Sequence, residues 1–171
     1  MPGSAYRRPA VSLPRAVDFF LAACQGFGLA LAAGTVTGAV AGAVAARDGA
    51  GPPASLLAAL AAVGLVVGAI LFGMSLSAED HPAWPGWLVG ALTALLAFSV
   101  ISGVVRGAAT RIQGASPAAQ VVYLAVAAAI LAGLSVLLPP IGLIALAAVG
   151  WLAVARRQRA TRKHEGLRVL R

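Results

Sequence analysis

The chain has 171 residues, 60% of them hydrophobic and only 11% charged, with a mean hydropathy of +0.91. Soluble domains run about 45–50% apolar and about 25% charged, and one core of this size could not hide so much apolar surface. A soluble globular domain, a disordered chain and a disulfide-stapled domain are therefore excluded, which leaves a membrane protein. The net charge of +8 would point to nucleic acid in a soluble protein, so its placement along the chain decides its meaning.

Charged residues cut the chain into uncharged runs at 19–46, 49–78, 82–105 and 112–155. A hydrocarbon core about 30 Å thick needs about 20 apolar helical residues, so each of the first three runs supplies one span. The first run is too long for the apolar region of a cleavable signal, about 7–15 residues, and is read as retained. The fourth run is long enough for two spans. Ser116 and Pro117 read as helix N-cap and first helical position. Pro139-Pro140 removes two amide donors and breaks the run. The expected architecture is all-α, a polytopic bundle of five spans at about 18–46, 54–77, 84–105, 117–138 and 140–155. Residues 1–17 form an N-terminal tail and 156–171 a basic tail. An alternative makes the first segment a re-entrant pair, giving an even number of spans.

Helix one carries the most ordered pattern. Small residues recur every four positions at Ala22, Gly26, Ala30, Gly34, Gly38, Gly42 and Ala46. In lipid, where tails are as apolar as leucine, such a stripe lets another helix approach closely. It reads as a packing interface, either within the chain, with Gly64 and Gly68 of helix two as the partner stripe, or between copies in an oligomer. Cys24, the single cysteine, excludes an intrachain disulfide and a paired-cysteine zinc site; it reads as a small packed hydrophobe. Gln25 is the most polar residue within a span and reads as an inter-helix bond, or else a ligand for a small solute.

No Asp, Glu, Lys, Arg or His lies well inside a span, which counts against a proton relay. The segment Glu79-Asp80-His81 is a short acidic loop, not expected to hold a metal because adjacent side chains converge poorly. Trp84, Trp87 and Trp151 fall where interfacial anchors belong. No nucleophile elbow, metalloprotease or phosphate-loop motif occurs, so neither an enzyme nor a cofactor is expected.

Basic residues settle the orientation. With five spans, ten of the 13 fall on one side: Arg47, Arg106, Arg111 and the tail residues Arg156, Arg157, Arg159, Arg162, Lys163, Arg168 and Arg171. The positive-inside bias puts that side, with the C-terminus, in the cytoplasm. Arg106, Arg111 and the tail residues are expected to contact anionic headgroups or a partner protein. Without aromatic stacking residues among them, nucleic acid is not expected.

The Leu137-Leu138-Pro139-Pro140 turn, the apolar helix after it and the ending Lys163-His164-Glu165-Gly166-Leu167-Arg168-Val169-Leu170-Arg171 resemble the carboxyl end of small, Ala-rich multi-pass proteins of unknown function from high-GC Gram-positive bacteria. The resemblance covers about the last 35 residues. It implies an inner-membrane location and carries over no functional residue. Two roles follow as expectations: a non-enzymatic accessory or scaffold subunit, or a small oligomeric channel or transporter for a lipid or small solute.

Overall fold

The computed structural model describes residues 13–47, 53–109 and 116–165. They form five helices: α1 (Leu13–Arg47), α2 (Ala54–Ser77), α3 (Trp84–Ala109), α4 (Pro117–Leu137) and α5 (Pro140–Glu165). Each is long and apolar enough to cross a membrane, and no strand occurs among the described residues. α1 is one unbroken helix, so the re-entrant alternative is corrected. Glycines do not interrupt it because a backbone that bonds internally is the only form lipid tolerates.

α1 is the centre of the bundle. It packs against all four other helices, most extensively against α3 and α2. Half of its apolar stretch is buried, against 11% for α4 and 6% for α5. α2 stands apart from α4 and α5, with no Cα pair within 8 Å among the described residues. The partners along α1 fix direction. Gly34, Gly38 and Gly42 lie against Ala94, Phe98 and Ser102 in turn, so α1 and α3 run parallel. α2 crosses back between them. Its Phe72 and Ser75 lie beside Gly26, and its Gly64 beside Thr37. An apolar knot of Ala22, Ala30, Phe72 and Leu76 closes the α1–α2 seam, with Phe27 edge-on to Phe72 at 5.0 Å. The outward faces carry large apolar side chains, among them Leu88, Leu92, Tyr123, Ile144 and Trp151. Such a surface is suited to hydrocarbon rather than water.

Two turns lie at the same end of the bundle. In the α2–α3 turn, Leu76 O accepts from both Glu79 N and His81 N, at 3.2 and 3.1 Å. Asp80 takes a left-handed φ of 56°, which a short polar side chain tolerates. The His81 ring meets Phe19 of α1 edge-on at 5.2 Å, which places the start of α1 beside this turn. The α4–α5 turn is as tight as the double proline predicts. Only Leu138 and Pro139 lie outside helix, with Ile141 N bonded to Leu138 O at 3.0 Å. At the start of α4, Ser116 takes the N-cap position ahead of Pro117, but its hydroxyl makes no capping bond. α5 continues through the first tail arginines to Glu165.

Candidate functional site

The small residues of α1 do not all face one neighbour. A helix turns 3.6 residues per revolution, so each four-residue step advances roughly 40° and the stripe winds from one flank to another. At the Gly26 end it faces α2, where an added Cβ would stand 2.6 Å from Ser75 Oγ and 2.7 Å from the Phe72 ring. Ala30, fully buried, lies next to Gly68. From Gly34 onward the stripe faces α3. A Cβ at Gly34 would collide with the Ala94 carbonyl; one at Gly38 would lie 2.8 Å from Phe98 O, and one at Gly42 2.9 Å from Ser102 O. These obstacles are backbone atoms, which no rotamer change removes.

Gly64 and Gly68 match the stripe only in part: Gly64 lies against Thr37, off the stripe, while Gly68 sits between Ala30 of α1 and α3, where an added Cβ would stand 3.0 Å from Gly90 O. The partner surface of Gly34, Gly38 and Gly42 is instead the α3 backbone at Ala94, Phe98 and Ser102. Sequence reading passed over it because only Ala94, Ala97, Ser102 and Gly90 mark that face as small.

A second seam, also missed, joins α1 to α4 and α5. Gly28 receives the buried Ser135 of α4, and a Cβ added at Gly142 of α5 would come against the Cys24 carbonyl and stand 3.0 Å from Gly28 N. Cys24 is buried here. Gln25 Nε2 donates to Val136 O at 3.3 Å. Val136 stands in the last turn of α4, where carbonyls lack an intrahelical partner, and Pro140, four residues on, has no amide to offer one. Gln25 supplies the donor that the proline lacks. The hydroxyls of Thr37, Ser75, Ser99, Ser102 and Ser135 bond back to carbonyls three or four residues earlier in their own helices, which satisfies them without a partner helix.

The basic side chains divide into two groups. Arg106 Nε donates to Ser102 O at 3.3 Å, and Arg156 Nη1 of α5 donates to Val100 O of α3 at 2.6 Å. The Arg156 guanidinium lies over Gly103, where an added Cβ would be 2.6 Å from both terminal nitrogens. Arg157 and Arg159 are exposed further along α5. The side chains of Arg111, Arg162, Lys163, Arg168 and Arg171 lie outside the described residues.

In the α2–α3 turn Glu79 and Asp80 are exposed. Among the described residues no three His, Cys, Asp or Glu side chains gather as a metal would require. Trp84, Trp87 and Trp151 are all exposed on the outer surface. An open apolar groove of about 340 Å³ lies where α2 and α4 stand apart over α1, lined by Leu29, Ala33 and Val36, by Val67 and Leu71, and by Ala129. Comparison with models of known families, with curated proteins and with solved structures finds no match to this chain.

Proposed function

We propose that this chain is a non-enzymatic accessory or scaffold subunit of a bacterial cytoplasmic membrane, with its C-terminus in the cytoplasm. The observation that carries the reading is the use of the α1 stripe. Gly34, Gly38 and Gly42 are filled by the α3 backbone of the same chain, and the most polar span residue, Gln25, bonds a carbonyl of α4. A stripe spent on internal packing builds a bundle; it does not line a pore between copies. The surfaces left for partners are those of α4 and α5, the least buried of the five helices, together with the basic residues beyond Ala155.

The orientation rests on the ten-to-three division of basic residues, and the cytoplasmic membrane on the resemblance of the C-terminal segment. The test is twofold. Isolation from native membranes in mild detergent should yield a complex with a membrane protein in fixed stoichiometry, and purified protein in liposomes should pass neither ions nor small solutes above protein-free liposomes. Solute flux that depends on the protein would replace the scaffold reading with the channel or transporter.

A further inference from the structure

The α3–α5 seam brings two arginine side chains to neighbouring positions about Gly103. Arg106 and Gly103 are three residues apart on α3, hence neighbours on its surface. The Arg156 head lies over Gly103, bonded to Val100 O, and the Arg106 chain runs back toward Ser102 O. Both side chains are thus held by α3 carbonyls two residues apart, those of Val100 and Ser102. Carbonyl dipoles orient them but do not cancel their charge. Of the carboxylates whose side chains are described, Asp18, Glu79 and Asp80 all belong to the opposite end, where Phe19 meets His81. Like charges on packed helices repel, and an anion between them removes that cost.

The seam also lies where the bundle is open. α5 is barely buried, α4 touches α3 only slightly, and the segment sits one helix length from the Trp84 end of α3. On the membrane reading of the five helices this is the bilayer interface. We infer that Arg106 and Arg156 form a seat for the phosphodiester of an anionic phospholipid, with Gly103 leaving the room that lets the Arg156 guanidinium lie flat on α3. Guanidinium matches phosphate in shape and stays charged at any working pH. The inference is independent of the scaffold role: loss of lipid selectivity would leave that reading untouched, and solute flux would leave this one untouched.

The experiment measures phospholipid retained by the intact full-length protein, by native mass spectrometry from detergent titrated with phosphatidylglycerol or phosphatidylcholine. The wild type should retain phosphatidylglycerol preferentially. R106Q/R156Q should lower that preference about tenfold, while R157Q/R159Q, with the same loss of charge, should change it less than twofold. Gly103→Ala keeps the charge and the helix. It displaces only the flexible tip of Arg156, and should lower the preference as well, which guards against a double variant that fails to fold. Equal losses from the two double variants would show a diffuse charge effect and overturn the seat. So would wild-type behaviour of Gly103→Ala, or displacement of the lipid by millimolar inorganic phosphate.

Discussion

Replacing Gly38 by leucine tests the central seam of the bundle. The site is buried, and an added Cβ would lie 2.8 Å from Phe98 O and 2.9 Å from Phe98 Cα. Non-bonded carbon contacts relax to about 3.5–4.0 Å, so even one methyl requires α1 and α3 to separate by roughly 0.6–1 Å. A radial gap of that size forfeits a quarter to a half of the contact energy along the seam, and this is the most extensive helix pair in the molecule. For Gly38→Ala the overpacking cost of about 1–3 kcal/mol is offset by up to about 1 kcal/mol of better helix propensity. A net loss of about 1–2 kcal/mol is expected. Gly38→Leu adds three further carbons against a backbone that cannot turn aside, and should cost about 3 kcal/mol or more. The assay is thermal or denaturant unfolding in detergent, followed by circular dichroism. Gly133 is the control on α4, because nothing lies within 4 Å of an added Cβ there; Gly133→Leu should unfold like the wild type. Indistinguishable unfolding of Gly38→Leu and Gly133→Leu would refute the seam. A folded Gly38→Ala with altered oligomeric mass would show that the stripe joins copies instead.

Gln25→Leu should destabilise by about 0.6–1.7 kcal/mol, the range of inter-helix hydrogen bonds in lipid. In the Pro140→Ala background, where residue 140 regains its amide, the same change should cost markedly less; additive losses in this double-mutant cycle would sever the link between Gln25 and the proline. Gly142→Ala places a methyl against the Cys24 carbonyl and should push α5 outward. Cys24, buried in the wild type, should then react with a maleimide at least several-fold faster, while an unchanged labelling rate would show that α5 does not cover it. Gly150→Ala, with open space around the added methyl, should leave stability within about 0.5 kcal/mol of the wild type.

The helices were legible because charge and proline punctuate this sequence more sharply than any periodicity does. Pro53, Trp84, Pro117 and Pro140 stand at or next to the four later starts. The partner of the stripe was not legible. Four-residue spacing states which flank is small but not which neighbour fills it, and the 40° drift sends Gly26 to α2 and Gly38 to α3. Gln25 sat between. Its bond became readable only by asking which carbonyl Pro140 leaves without a donor, a local fact about residue 136 that fixes a contact 111 residues away. The Arg156 contact with Val100 had no sequence signal beyond Gly103, one glycine among 20.

The first of the five helices in chain order is also the innermost. During synthesis the segments emerge from the N-terminal side onward, so α1 enters the bilayer before the four helices that cover it. Its apolar stretch has a mean hydropathy of 1.8, below the 2.6 of α2, and its glycines expose backbone to lipid until α3 arrives. Assembly order and radial order coincide: each later segment meets a finished template, and the template is the one element that gains most from every arrival. Truncation after α2 would leave that template half bare; α1, α2 and α3 pack most extensively on one another, and α4 and α5 lie against α1 as an outer pair.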